Sequence, residues 1–487
     1  MRKLFLLNLF LSSSIITAQK VEFTNNMVEA QKATMELRYQ DLDQRLKAER
    51  IQNPENRLAD YTEGAALCIR MFLVEDEEFF EQNRDHLDQL ISGLEDLSDE
   101  DPNKRVLLAE LLLVRSGVYA KYKHNLKAAW GFYRAYNLLQ ENLEKFPNHI
   151  PTLVPYGVLQ AAVGSLPSDY RSLAAVFGFK GDIERGLKMI RKAYYYSLAN
   201  PEYRFYRDYF GYIYAFINFE LETKEQVSLF TLGIEVERSA YFIYLEAQQE
   251  LKQGRAAEAL RLLQAIPNSP AHLKVPYFTY YQGKVALMVK PSLAKAYLDT
   301  FLKETKDQEH RKSTYRYLAW YNLLEGNQDQ AKAYRQMILS DESAPSGADK
   351  QAVAEAKRGF NKGLIQARLD FDAGRYAEIV KRLSPWMLSE QCREDWEKQE
   401  FHYRRGRALQ ELKFYKKAEV EFLKVISFQD NVTYALGNSY LQLGYIYEQA
   451  GAYGSSRKYL KKAESLSGYA FHEGVQQKAK AVLARLP

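Results

Sequence analysis

Along the second half of the chain one pattern of apolar and polar positions keeps returning. An amphipathic stretch with helical spacing ends in Gly or Lys, a short polar turn follows, and a second amphipathic stretch begins. The turns are Lys252-Gln253-Gly254-Arg255, Lys290-Pro291, Glu325-Gly326-Asn327, Ala373-Gly374-Arg375-Tyr376, Leu412-Lys413-Phe414-Tyr415 and Ala450-Gly451-Ala452-Tyr453. Successive turns lie 36, 36, 48, 39 and 38 residues apart. A period of this length is the mark of stacked helical hairpins, because each hairpin can bury its apolar face only against its neighbours. The longest interval holds an insert around Asp341 to Asp349, rich in Ser, Ala, Pro and Gly, which predicts a loop.

Within each unit, small residues sit where two helices must cross closely, since Cβ bulk there would wedge them apart. The last unit has Tyr440, Leu443, Gly444 and Tyr447 on its first helix and Ser456, Leu460 and Ala463 on its second. The unit before has Gly406 and Leu409, then Ala418, Phe422 and Val425; an earlier one has Tyr315, Leu318, Ala319 and Asn322, then Ala331 and Ile338. This spacing resembles the tetratricopeptide repeat (TPR) family. Glu246, Gln282 and Arg405 stand where that family usually has Leu, and Arg335 where it has a large apolar residue, so the repeats are degenerate. The resemblance implies an all-α fold, a right-handed α-α superhelix, with an irregular helical N-terminal half.

The N-terminal half carries the same phrase less regularly. One unit is Leu112, Ser116 and Tyr119 followed by Ala128, Phe132 and Ala135. A second is Tyr170, Leu173, Ala174 and Phe177 followed by Gly186, Ile190 and Ala193, with Pro167 opening its first helix. The phrase Gly178-Phe179-Lys180-Gly181-Asp182 resembles a eukaryotic tetratricopeptide family linked to inclusion-body clearance. Residues Met27 to Arg50 and Glu55 to Gly93 read as helices ahead of the repeats, and Pro54, Pro102, Pro147 and Pro201 mark turns. The expected organisation is residues 1–18 as a signal peptide, 19–235 as a helical region with degenerate units, and 236–487 as the repeat array.

Composition fits a folded chain: of 487 residues 46% are hydrophobic and 26% charged, with a net charge of +5. The start adds a destination. Arg2 and Lys3 precede the apolar run Leu4 to Leu11, and Ala18 offers a small residue for cleavage before Gln19. The apolar run is too short to span a bilayer. Export to a bacterial periplasm or the extracellular space follows as the expectation. Cys68 and Cys392, the two cysteines, lack metal-ligand spacing and read as small buried hydrophobes, with one long-range bridge as the alternative.

No phosphate-binding loop, dinucleotide fingerprint, nucleophile elbow or HExxH motif is present. The histidines at 86, 124, 149, 272, 310, 402 and 472 are scattered singly, which predicts no metal site, no cofactor and no catalytic residue. Asn431-Val432-Thr433 has the form of a glycosylation sequon. The run Tyr194 to Tyr196, with Tyr203, Tyr206, Tyr209 and Tyr212 near three-residue spacing, reads as a packing stripe.

Charge is uneven. From Glu75 to Asp101 twelve acidic residues face Arg84 alone, whereas residues 351–487 carry 23 Lys and Arg against 16 Asp and Glu. Such ends attract acidic partners, or each other between or within molecules.

In tetratricopeptide arrays the first helix of each pair lines a concave groove. The repeat phase here places Tyr244 and Gln248, Tyr280, Tyr281 and Lys284, Arg316, Tyr317 and Trp320, Arg368, Tyr403, Arg404 and Arg407, and Tyr445 on it. An aromatic and basic groove suits an extended peptide carrying carboxylates, because rings give contact area and Arg forks pair with carboxylates. The expected function is a non-catalytic scaffold for a protein or peptide. The alternatives are a carbohydrate- or envelope-polymer-binding accessory and an enzyme with a dispersed site in the N-terminal half. Nucleic acid is not expected, and no transmembrane segment is.

Overall fold

A computed structural model describes residues 19–166, 178–223, 225–306, 309–342, 347–428, 432–469 and 471–487. The expected signal peptide, the positions Pro167, Tyr170, Leu173, Ala174 and Phe177, and Asn431 of the sequon lie outside them. Among the described residues the chain is α-helical with short 3-10 turns. The one isolated β-bridge among the described residues joins Lys20 to Asn56. The fold is a solenoid of tetratricopeptide-like helix pairs.

The repeat turns are built as their sequence suggests. Gly254, Gly326, Gly374 and Gly451 all take the left-handed conformation, with φ of +74°, +87°, +77° and +72°. Glycine adopts this state without the Cβ clash that other residues meet. Lys413 adopts it too, at φ +66°, whereas Lys290 stays extended and Pro291 opens the next helix. The crossings are equally close. A Cβ on Gly406 would lie 2.8 Å from the Phe422 ring, one on Gly444 2.5 Å from Leu460, and one on Gly283 2.7 Å from Leu298.

Several expectations change. The predicted single helices over 27–50 and 55–93 are each two: Asn25–Met35 with Tyr39–Gln52, and Leu58–Val74 with Glu77–Glu95. Leu37 and Glu75 break them with φ of +56° and +59°, and Asp76 then caps the next helix by accepting from the Phe79 N–H. The insert is not all loop: helix Gly347–Arg358 begins within it and contributes to the 48-residue interval, while residues 343–346 lie outside the described residues. Helix Ile183–Ala199 pairs with Leu153–Ser165: a Cβ on Gly186 would lie 2.4 Å from the Gly157 carbonyl oxygen. Cys68 and Cys392 are both buried and unbridged. The largest apolar core runs from Ile150 to Leu369 and includes both Ile234 and Val236.

The solenoid winds tightly enough to touch itself. The turns at Gly254 and Gly374 meet, and a Cβ on Gly374 would lie 2.1 Å from the Gly254 carbonyl oxygen. Arg375 spans the same contact, donating to the Met288 carbonyl at 3.1 Å. Farther on, the last helix, His472–Arg485, docks onto the N-terminal half. Lys480 donates to the Leu166 carbonyl at 2.7 Å, Arg485 to the Glu222 carbonyl at 3.1 Å, and Ala481 packs with Ala161, Ile183 and Leu221. At the other end Ser239 donates to the Met35 carbonyl at 2.7 Å, and the Leu273 N–H to the Leu37 carbonyl at 2.8 Å.

The acidic segment 75–101 finds its ion-pair partners nearby. Asp88 pairs with Arg115, Glu95 with Arg134, Glu100 with Lys145 and Asp76 with Lys306. Among the described residues none of these partners comes from the basic C-terminal stretch.

Gly374 and Gly451 share a left-handed backbone, but nothing lies within 4 Å of a Cβ on Gly451. Gly451→Ala should therefore cost the conformational penalty alone, about 1–2 kcal/mol. Gly374→Ala should cost measurably more in urea denaturation; equal losses would mean that the contact between turns contributes nothing.

Candidate functional site

The inward faces of the first helices converge on two adjoining cavities along the axis of the superhelix. Helical spacing explains which side chains arrive there. Helix Pro276–Val289 presents Tyr277, Tyr280, Lys284 and Met288; Arg311–Glu325 presents Arg316, Tyr317 and Trp320; Lys362–Asp372 presents Arg368 and Asp372. These enclose a cavity of about 460 Å³. The second, of about 730 Å³, is bordered by Gln248, Lys252, Arg407, Glu411, Tyr445 and, from the N-terminal half, Glu220, Glu222 and Glu225. Asn438 lines both.

The sequence-predicted positions divide between these places. Tyr280, Lys284, Arg316, Tyr317, Trp320 and Arg368 line the smaller cavity; Gln248, Arg407 and Tyr445 line the larger. Tyr244, Tyr281, Tyr403 and Arg404 border neither. Tyr244 and Tyr281 pack ring against ring with centroids 4.9 Å apart, and the Tyr244 and Tyr277 hydroxyls are 3.1 Å apart. Arg404 is buried, donating to Glu400 at 2.8 Å and to the Tyr434 hydroxyl at 2.7 Å. The expected open trough is thus a partly closed space, because the docked C-terminal helices and the 218–227 segment form part of its wall.

Behind the smaller cavity lies a buried polar network. One oxygen of Glu355 accepts from Arg316 at 3.4 Å, Arg368 at 2.9 Å and Gln351 at 2.8 Å. Arg404 and Glu400 form the next pair, with the Tyr434 hydroxyl bridging onto Glu400. Arg358 acts on both carboxylates. Three of these guanidiniums pair with the two carboxylates, Arg358 lies close to both, and the Asp372 carboxylate acts on Arg404 and Tyr317 from the cavity wall, so four arginines and Lys284 stand against three carboxylates. Burial alone would raise the carboxyls of Glu355 and Glu400, but the arginines outweigh it and hold both below the usual range.

The same field reaches the cavity. Burial pushes the Tyr317 phenol up, yet Arg316, Lys284 and Arg368 overturn this and leave it below its ordinary value. Arg316 and Trp320 are each 2% exposed, and the Arg316 Nε and the Trp320 indole Nε1 have no hydrogen-bond partner among the described residues. The Arg368 guanidinium stacks over Trp320 at 5.0 Å and Lys284 over Tyr281 at 4.9 Å. Lys284 has no carboxylate within ion-pair distance. The site is therefore a positively charged, ring-walled pocket, suited to a carboxylate or another anion.

The larger cavity has the opposite character. Glu222 accepts from the Tyr445 hydroxyl at 2.5 Å and pairs with Lys478 at 2.9 Å and Lys252 at 3.3 Å. Burial opposes its ionisation, but the two lysines and the hydroxyl hold the carboxyl down to about 2. Its four carboxylates face Lys252, Arg407 and Lys478.

Reading the sequence missed Tyr277, Glu355, Asp372, Glu400, Tyr434 and Asn438. Tyr434 and Asn438 lie on one helical stripe with Tyr445, and Glu400 precedes Arg404 by one turn, so extending each stripe by a turn finds them. Glu355 lies on the helix of the presumed loop. Glu222 and Lys478 reach the site only because the chain closes on itself. Among the described residues no group of His, Cys, Asp or Glu has the placement to hold a metal ion, and no helix is long and apolar enough to cross a membrane.

Glu355→Gln removes the charge that Arg316 and Arg368 share, so urea denaturation should show a loss of about 3–5 kcal/mol, the cost of stranding a buried charge. The exposed Glu378→Gln should stay within about 0.5 kcal/mol of the parent.

Solved structures with similar architecture include a monomeric mutant of IFIT1 with Gppp-AAAA. It is 13% identical over 92% of this chain and 96% of that one, with a TM-score of 0.33. The human IFIT1 dimer with PPP-AAAA is 14% identical over 91% and 95%, with a TM-score of 0.23. Scores this low leave the ligands of those complexes without bearing on this chain. No curated protein matches it. Residues 8–352, most of the chain, match the family described as Iml2/Tetratricopeptide repeat protein 39, and the chain belongs to that family.

Proposed function

We propose that the protein is a non-catalytic scaffold that binds an extended peptide segment of a partner protein along its axial cavities, seating a carboxylate between Lys284, Arg316 and Arg368. The observation that carries this reading is the excess of cationic groups over carboxylates at the smaller cavity, with Lys284 on its wall outside any ion pair among the described residues. A carboxylate placed there meets the Lys284 ammonium beside Arg316 and Arg368 on the cavity wall, and charge-assisted hydrogen bonds are stronger than neutral ones. Aromatic walls add contact area for the rest of the segment.

The charge of the adjoining cavity favours a peptide over a polyanion. Glu220, Glu222, Glu225 and Glu411 line it, and a polyanion long enough to fill both spaces would lie against them. A peptide has one or two charges and an otherwise neutral backbone, and can place an acidic end at Lys284 and a neutral or basic stretch beside these carboxylates. Export of the chain, inferred from its first eighteen residues, would put this binding in the cell envelope or outside the cell.

The test is fluorescence anisotropy with six-residue peptides bearing an acidic side chain or a free C-terminal carboxylate, each beside its amide counterpart. Carboxylate peptides should bind, and the amide should weaken binding about tenfold or more, as expected for one charge-assisted hydrogen bond. Lys284→Met should cause a similar loss without unfolding, because no ion pair is broken. If no peptide binds, or a 5′-phosphorylated oligonucleotide binds more tightly at the same residues, the proposal is wrong. For export, intact-mass analysis of secreted protein should find a chain beginning at Gln19; a retained Met1 would refute cleavage.

A further inference from the structure

A third cavity, of about 240 Å³, lies away from the axis, in the N-terminal half. It is bounded by helices Asn25–Met35, Leu58–Val74, Pro102–Lys121 and Arg207–Glu220 and by the 3-10 turn Pro201–Tyr206. Its wall is mostly apolar, with Met35, Ile69, Leu107, Phe205 and Phe242 among its side chains. Of the three carboxyls on this wall, Glu36 and Asp208 pair with Arg238, and the third is that of Glu110. Its two oxygens accept from the Tyr61 hydroxyl at 2.8 Å and the Tyr209 hydroxyl at 3.0 Å, and Tyr206 lines the cavity beside them.

The missing element is a cation. No Lys, Arg or His among the described residues lies within ion-pair distance of Glu110. The charged groups on the cavity wall are Lys32, Glu36, Arg204, Asp208 and Arg238. Arg238 pairs with Glu36 at 3.0 Å and with Asp208, Lys32 pairs with Glu29 at 2.6 Å, and Arg204 is an exposed residue. A carboxylate set into an apolar wall without a counter-charge is costly to ionise. Burial accordingly raises the Glu110 carboxyl to about 7, although both tyrosine hydroxyls act to lower it. Such a group costs least when a bound cation supplies the missing charge, and the rings of Tyr61, Tyr206, Tyr209 and Phe205 can add cation–π attraction.

We propose that this cavity is a binding site for a small apolar amine, whose ammonium group pairs with Glu110 between Tyr61 and Tyr209 while its hydrocarbon body fills the apolar wall. The site is separate from the axial cavities and does not depend on the peptide-binding reading. Size sets the ligand class. An apolar cavity of about 150 Å³ holds benzene, so this one takes a single ring with a short amine arm. It lies below the roughly 300–1,000 Å³ common for larger ligands. Two tyrosine donors already occupy one position on each oxygen, leaving the remaining lone pairs for the ammonium.

The coupling to pH has a definite sign. Phenethylamine stays cationic from pH 6 to pH 8, whereas Glu110, with its carboxyl near 7, passes from mostly protonated to mostly ionised. If the amine binds the ionised form, its affinity should rise about tenfold across that range.

The experiment is calorimetric titration of the full chain with phenethylamine and with its uncharged isostere n-propylbenzene at pH 6 and pH 8. The expected result is saturable amine binding that strengthens about tenfold at pH 8, and n-propylbenzene binding that does not strengthen with pH. Glu110→Gln keeps the shape and acceptor oxygen, and should abolish the pH dependence and weaken the amine at least tenfold at pH 8 while leaving n-propylbenzene unchanged. Ala65→Leu, on the cavity wall, should weaken both. No amine binding, an affinity that does not rise with pH, or equal amine binding by Glu110→Gln would overturn the proposal. The pH series on the unmodified protein decides the matter even if either variant fails to fold.

Discussion

Where the two helices of a unit cross, their backbones come so close that a side chain is tolerated on one helix but not at the facing position of the other. Gly406 faces Phe422, Gly444 faces Leu460, Gly283 faces Leu298, and Gly157 meets Gly186 backbone to backbone. Close-packed interiors leave no slack at such points, so each crossing sets the rotation of a first helix relative to its partner. That rotation decides which stripe of the first helix faces the axis. The convergence of Tyr277, Lys284, Arg316, Arg368 and Tyr434 on one space is a consequence of it, repeated unit by unit.

Having brought these side chains together, the fold must hold their charges out of water. Glu355 and Glu400 are the means: each accepts from arginines that otherwise stand unpaired in the interior. The compensation is partial, since even with Asp372 three carboxylates stand against four guanidiniums and Lys284. This imbalance, rather than any single residue, distinguishes the smaller cavity from ordinary core. In the larger cavity Lys252, Lys478 and the Tyr445 hydroxyl converge on one carboxyl, that of Glu222. Glu222 is also where the last helix returns, so the lining of that cavity and the closure of the superhelix rest on the same residue.

The extent to which this could be read in advance varies along the chain for physical reasons. Left-handed turns at Gly254, Gly326, Gly374 and Gly451 are local, and glycine announces them. Leu37 and Glu75 adopt the same backbone with no such mark, and two helices were therefore read as continuous. The tyrosines at 203, 206, 209 and 212 are a packing stripe as their spacing suggests, the first two in a 3-10 turn whose period is three. Their spacing could not reveal that Tyr209 donates to Glu110, 99 residues away. Glu355 escaped notice because Ser, Ala, Pro and Gly before it resemble a loop, although a helix starts at Gly347.

By itself the sequence determined the all-helical class, the repeat period, the turns and the inward phase of the first helices. All of these follow from interactions within one or two turns of chain, or between a helix and its immediate partner. Tertiary structure decided everything that depends on distant segments meeting. It turned an expected open trough into two partly closed cavities, because Arg485, Lys480 and Lys478 bring the last helix against Glu222 and Leu166. It tied up Arg404 by burying it against Glu400 and Tyr434, and it left Lys284 without an ion-pair partner. It also set Glu110 into an apolar wall with hydroxyls but no cation for company. Periodicity specifies which face of a helix turns inward; only the path of the whole chain specifies what that face meets.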